Sequence, residues 1–384
     1  MRRVTEEHLD DLAIGAAILG TGGGGHPYVG KLLAKQAIRG FGPVTVVDVD
    51  EVDDDALVLP SAMMGAPTVM LEKLPRGDEL IRAFQALQAY LGKQVTHTVC
   101  IEAGGLNSTT PFSVAARMGI PIVDADGMGR AFPEVQMVTP TIFGVSATPM
   151  ALADEKGNLS ILETTDNLWT ERFARSITVD MGCTSMISLF PLSGKEVRDQ
   201  MVPGTLGLAQ DLGRLVHGAR AARDNVIDVV LERLSGYRLL TGKIVDVERR
   251  TEAGFARGRA VIEGTGDDSG SSLTVEFQNE HLIAIRDGEV AASVPDLIIV
   301  LEADTGEPIT TEEMRYGFRV TAAAAPCDAK WRTEGGLALV GPRYFGYDID
   351  YRPIEELASN TRGPTSSARS AMSSNARPGG GGDA

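Results

Sequence analysis

Cysteine is scarce in this chain. Cys100, Cys183 and Cys327 are three residues in 384, widely separated and odd in number. That is no disulfide framework and predicts a reduced, cytoplasmic protein. Basic charge is short as well, with 36 Lys and Arg against 52 Asp and Glu and a formal net charge of −16. A nucleic-acid backbone or an anionic lipid surface needs a basic face, so neither is an expected partner. No apolar run reaches the roughly 18 residues of a membrane span. The opening "MRRVTEEHLDD" turns acidic at once, without the apolar stretch of a signal peptide. Metal-binding spacings of the HExxH, HxxxH or CxxC kind are missing, and His8, His26, His97, His217 and His281 are scattered.

What is present has a two-part pattern. The length exceeds one compact core and suggests two domains. "TEEHLDDLAIGAAILG" reads as an amphipathic helix with Thr5 as N-cap, and "PYVGKLLAKQAIRG" as a second helix. Strands at "VTVVDV", "ALVLP", "VTHTVCIE" and "IPIVDAD" alternate with helices at "GDELIRAFQALQAYLG" and "PFSVAARMG". This alternation predicts an α/β domain over residues 1–165 with a mostly parallel sheet. From residue 166 the pattern is helical to about 235. One stretch, "GTLGLAQDLGRLVHGARAARDNVIDVVLERL", is long enough to be kinked or split. Beyond it come short alternating runs, with Asp287-Gly288 as a two-residue hairpin signal. They predict a small β-barrel or sandwich completing a second domain at 353. Residues 358–384, rich in Ser, Gly, Asn and Arg, read as a disordered tail.

Four stretches could carry chemistry. "LGTGGGGHPYVG", residues 19–30, holds Gly22, Gly23, Gly24 and Gly25 with His26 closing the loop. A helix precedes it and no Lys-Ser/Thr follows, so it is neither a Walker loop nor a dinucleotide fingerprint. Either its N–H groups form an anion nest at a helix start, or its glycines let two helices pack closely. "PIVDADGMGRAFPE", residues 121–134, ends a strand in Asp124 and Asp126 with Arg130 close behind. Ligand sites of parallel sheets lie beyond the carboxyl ends of strands, and two such acids suit acid/base work. A capped turn with an internal Asp–Arg pair is the alternative. "CIEAGGLNSTTP" offers Glu102 and Asn107, and "GAPTVMLEK" offers Glu72, on two further loops that could be plain surface. Cys327 sits in a loop-like stretch and is a candidate reactive thiol.

Together with "FQNEHLIA", "VPDLIIVL" and "LVGPRYFGYD", these segments resemble the S-methyl thiohydantoin desulfurase family, in order and spacing, from about residue 8 to 353. The "DADGMGRAFPE" block is the most specific of them. Position 26, often Asp in that family, is His here. The resemblance implies a three-layer α/β/α N-terminal domain and a C-terminal domain containing a β-barrel. It implies hydrolysis of the C–S bond of an S-methylated thiohydantoin to a hydantoin and methanethiol. For that reaction Asp124 or Asp126 is the expected base and His26 a proton shuttle. Arg130 is the expected anchor for a substrate carboxylate, Glu102, Asn107 and Glu72 line the pocket, and the glycine loop binds an oxygen. A zinc ion held by His26 and the acids is the other route to an activated water. A non-catalytic partner of a hydantoinase-type enzyme is the rival reading. Homo-oligomerisation stays open.

Overall fold

The computed structural model describes residues 1–25, 27–65, 69, 77–252 and 254–361. His26 and Glu72 lie outside the described residues, as does the expected tail from residue 362 onward. The helix Ile354–Thr361 takes in the first residues of that tail, with Leu357 buried.

The chain is a mixed α/β protein with two large sheets and a two-stranded pair. The first joins β1 (Arg2–Val4), β2 (Val44–Val47), β3 (Leu57–Gly65), β4 (His97–Val99) and β5 (Ile122–Val123) with β7 (Met150–Ala153), β8 (Leu159–Leu162), β9 (Thr184–Ser188) and β10 (Leu192–Ser193). A two-residue strand, β6 (Ala125–Asp126), pairs instead with β11 (Val202–Pro203). The first sheet is not mostly parallel. Only the run β2-β5-β4-β3 is parallel, and β1, β7, β8, β9 and β10 all pair antiparallel. Helical crossovers before residue 122 enforce parallel pairing, whereas the short β7–β8 turn permits only a hairpin. Strands β9 and β10 come from beyond residue 165, so the two sequence halves interlock.

Side-chain alternation covers this sheet on both faces. Leu59 and Met63 of β3 face one core with Leu80, Phe84 and Leu87 of the helix Asp78–Leu91. Val58, Ala62 and Met64 face the other, with Ala174 of the helix Asn167–Asp180 and the buried Trp331.

The second sheet is antiparallel throughout. Its order is β16 (Glu289–Ser293), β15 (Glu280–Arg286), β14 (Ser272–Gln278), β13 (Phe255–Gly264), β12 (Tyr237–Glu252), β18 (Arg319–Ala325), β17 (Leu297–Glu302). It curls as a half-barrel. Among the described residues β16 and β17 do not pair with each other, and β17 bridges instead to Pro308 through Leu301, so the expected barrel does not close strand to strand. The hairpin falls where Asp287-Gly288 placed it, with φ of 52° and 89°. Strand β18, "RVTAAAA", carries little sequence signal, because alanine has little strand preference.

The long helical stretch splits at Asn225, whose side chain caps the second half through Ile227 N and Asp228 N. The first half, Thr205–Ala222, crosses α1 (His8–Leu19) at two glycines. A Cβ on Gly15 would stand 1.8 Å from the Ala209 carbonyl oxygen, and one on Gly213 would stand 1.9 Å from that of Asp11. Helix α1 itself begins at His8, and Thr5 is not its N-cap: it lies a turn earlier, with its N–H on the His8 ring at 3.0 Å.

These contacts give a paired stability test. Gly213→Ala forces the crossing apart and should cost about 1–3 kcal/mol or more. Gly218→Ala, on the same helix with nothing within 4 Å, should be neutral or gain about 0.5–1 kcal/mol. Urea unfolding of the two variants checks the difference; equal effects would mean the helices do not cross there.

Candidate functional site

The carboxyl ends of β3 and β4 open onto a cleft whose opposite wall is the start of β15. Its polar lining is Glu102, Asn107, Glu134, Arg175, Asn279 and Glu280, with Gly24 and Gly25 at the floor. Met63, Met64, Phe132, Ile187 and Leu189 supply apolar wall. The cavity is about 80 Å³, small beside the several hundred Å³ of a large-ligand pocket, and it suits a ring of few atoms.

Glu102 stands three residues past β4 and is buried. Asn107 Nδ2 donates to its Oε1 at 2.6 Å. Asn107 is fixed in turn by β3: Met63 N donates to Oδ1 at 2.8 Å, and Nδ2 reaches Met63 O at 3.2 Å. Burial pushes the Glu102 carboxyl up to about 7, against the opposing bonds from Asn107 and the Phe132 main chain. Glu280 faces it from the other sheet, also buried. Its Oε1 accepts from Gly24 N at 3.3 Å, while Oε2 is buried with no hydrogen-bond partner among the described residues. Burial, and next the nearby Glu102 charge, hold its carboxyl well above the ordinary range. Glu134 takes the Tyr344 hydroxyl at 2.8 Å. Arg175 pairs with Glu171 at 2.6 Å and stacks over Phe255 at 4.3 Å.

The glycine loop is both packed and part of the cleft. A Cβ on Gly22 would meet the His281 ring at 2.6 Å, and one on Gly23 would meet Glu280 Oε1 at 2.0 Å. On Gly24 it would lie 2.4 Å from Gly104 Cα, and on Gly25 2.7 Å from Leu106 Cβ. Gly22, Gly24 and Gly25 also hold φ of 90°, 72° and 82°. The expected open anion nest is not there at Gly24, because its N–H already serves Glu280. Gly22 and Gly23 lie against β15 rather than on the cleft.

Four other candidates lie off the cleft lining. Asp124 is turned away from the cleft, onto the N-terminus of Thr205–Ala222, where its carboxylate accepts from Leu206 N at 2.9 Å and Gly207 N at 3.1 Å. The sequence-adjacent cap there is Gly204, which has no side chain to offer, so Asp124 caps the helix from a distance. Arg2 completes the site at 2.5 Å. Asp126 folds onto its own turn, accepting from Met128 N at 3.0 Å and Gly129 N at 2.9 Å. Burial raises it to about 7, but it lies behind Met128 and does not line the cleft. Arg130 is fully buried. Its nitrogens donate to the carbonyls of Ala131, Pro295, Asp296 and His281 and to Thr21 Oγ1, at 2.6–3.2 Å. No donor is left for a substrate carboxylate. Cys327 is held beside Asp296 and its thiol is pushed up to about 12, mainly by burial, which disfavours the reactive thiolate.

Among the described residues no three His, Cys, Asp or Glu side chains gather as a metal site. His26, the histidine expected in a zinc site, lies outside those residues. No helix among them is long and apolar enough to cross a membrane. Glu280 is the residue sequence reading missed. Its signal was there: "FQNEHLIA" puts Asn, Glu and His into an otherwise apolar, alternating strand.

Two family models match the chain in succession. "S-Me-THD-like, N-terminal domain" covers residues 7–164 and "S-Me-THD-like, C-terminal domain" covers 165–354. No curated protein matches. An X-ray crystal structure of a protein from Chromobacterium violaceum, a structural-genomics target, has 25% identity and a TM-score of 0.77, covering 92% of this chain and 100% of its own.

The Arg130 geometry predicts a structural phenotype. Arg130→Lys leaves at least two of the five acceptors unserved and should lower stability by about 3–5 kcal/mol, as breaking a buried charged network does. Thermal unfolding reads it; an unchanged melting temperature would refute the clamp.

Proposed function

The chain belongs to the S-methyl thiohydantoin desulfurase family, and from that premise we propose that it hydrolyses the C–S bond of an S-methylated thiohydantoin, releasing a hydantoin and a thiol. The observation that carries the reading is a desolvated carboxyl, Glu102, in a cleft of ring size with apolar and methionine walls. The substrate carbon is amidine-like and carries a thioether. Replacing sulfur by oxygen needs a base for water and a proton for the departing group. Glu102 takes the base role here in place of Asp124 or Asp126. A carboxyl titrating near 7 is matched to proton transfer at neutral pH. Asn107 keeps it oriented. The methionines and Phe132 pack the S-methyl group, since thioether sulfur sits well against soft apolar surface. Arg175, the guanidinium that borders the cleft, replaces Arg130 as the group for a carboxylate on the ring.

Assay of the purified chain with an S-methyl thiohydantoin, with and without chelator, is the direct test. Methanethiol and hydantoin should appear together. Glu102→Gln should reduce turnover on the order of 100-fold or more while keeping the fold. Wild-type turnover should fall as pH drops below about 7, where Glu102 gains its proton. No product, or a Glu102→Gln variant at near-normal rate, would refute the reading. Loss of turnover with chelator would assign water activation to a metal instead.

A further inference from the structure

We propose that Glu280 is the catalytic acid opposite Glu102, so that one proton is exchanged between two carboxyls supplied by the two sheets. This rests on the hydrolase reading above. Three geometric facts point to it. Both side chains are buried and line the same small cleft from opposite walls. Glu102 has Asn107 on one oxygen, a partner that can only donate and so favours the charged carboxylate. Glu280 has Gly24 N on one oxygen and nothing on Oε2 among the described residues. A buried carboxylate oxygen with no donor is costly; the same oxygen carrying a proton is ready to give it to a ligand.

The charges around the pair agree. Glu280 faces Glu102 across the cleft, Arg130 beneath it and Glu312 further off; the first and last favour its protonated form, and Arg130 opposes them. Glu134 and Arg175 border the same space; Glu134 accepts from Tyr344, and Arg175 gives Nε to Glu171 and Nη2 to the Pro133 carbonyl. His281, next in the chain, has its Nδ1 on the Ile298 carbonyl at 2.8 Å, and burial keeps the ring neutral, down at about 4. Two like charges in one desolvated cleft cannot both be held, so the pair carries a single negative charge.

The reaction then balances. Glu102 carboxylate takes one proton from water as the oxygen bonds to the ring carbon. The C=N electron pair moves to nitrogen, which receives the Glu280 proton. In the second half the hydroxyl oxygen forms the carbonyl as its proton passes to Glu280. The C–S pair leaves on sulfur, which takes the proton now on Glu102. Hydantoin and methanethiol result, and both carboxyls return to their starting states. No oxidant or co-reactant is needed.

Glu280→Gln keeps the acceptor for Gly24 and should fold. Three readouts on the full-length chain test the idea. In infrared spectra at pH 8, above the values near 7 of Glu102 and Asp126, wild type should show a protonated-carboxyl band that Glu280→Gln lacks. In Glu102→Gln that band should titrate at lower pH, because the charge opposing ionisation has gone. The stability sign follows from linkage. Folded Glu280 keeps its proton above the ordinary 4.5, so wild type loses stability as pH rises from there. Glu280→Gln should therefore melt higher relative to wild type at pH 8 than at pH 5. With substrate, Glu280→Gln should lose about 100-fold or more in turnover, and the alkaline limb of its pH profile should vanish. A missing band, or an active Glu280→Gln enzyme with its alkaline limb intact, would overturn the acid while leaving the hydrolase reading in place. Wild type with no turnover would overturn the hydrolase reading and the acid role with it, and the infrared band would still decide the shared proton.

Discussion

A guanidinium sealed from water needs an acceptor for each of its five N–H groups. Arg130 finds all five, and they belong to four separate pieces of chain. Thr21 opens the glycine loop, His281 starts β15, Pro295 and Asp296 lead into β17, and Ala131 is its own neighbour. Burial pulls the group down only to about 10, so it remains charged at neutral pH. The charge cannot leave that position without stranding a buried cation, which is far more costly than any single hydrogen bond. The relative placement of the two sheets hangs on this constraint. Asp296 extends it: its side chain takes Cys327 N, Ile354 N, Tyr351 O–H and Arg332, tying the C-terminal segment to the same point.

The four glycines follow from that clamp. Once Arg130 draws Thr21 and His281 together, the loop between α1 and the helix starting at Pro27 must pass between β15 and residues 104–106. There is no room for a Cβ at any of the four positions. Packing and cleft are therefore one demand rather than two. The glycines bring the backbone close enough for Gly24 N to reach Glu280, and the same closeness makes the cleft floor. An open nest would need that N–H free, and the fold has already used it.

Much of the framework was legible because it depends on local signals. Amphipathic periodicity marked the helices Asp78–Leu91 and Asn167–Asp180, and Asp287-Gly288 fixed its hairpin. The antiparallel half of the first sheet was not legible, because β7, β8 and β9 are short and their partners lie far along the chain. The site was half legible. Glu102 and Asn107 stood at a strand's carboxyl end, where chemistry is expected. Asp124, Asp126 and Arg130 looked like chemistry because charged residues after a strand usually face solvent or ligand. Each is instead consumed by main chain: a distant helix end, its own turn, and five carbonyl or hydroxyl oxygens. Sequence shows which groups are polar, not which main-chain groups the tertiary fold has left without partners.

Glu280 differs from those three in that respect. Asp124 has three donors on its carboxylate and Asp126 has two main-chain donors, although burial still raises Asp126 to about 7. Glu280 has one long bond and an empty oxygen at the same depth of burial. A chain selected only to fold would do better with glutamine or an apolar residue there, since a desolvated acid lowers stability wherever it must ionise. The two carboxyls keep that cost because they sit on different sheets, either side of the one small cleft, where Arg130 prevents them from separating. A buried carboxyl oxygen left without a donor where a ring-sized ligand would sit, while Asp124 and Asp126 spend theirs on main chain, is how a binding cleft differs from a well-packed turn.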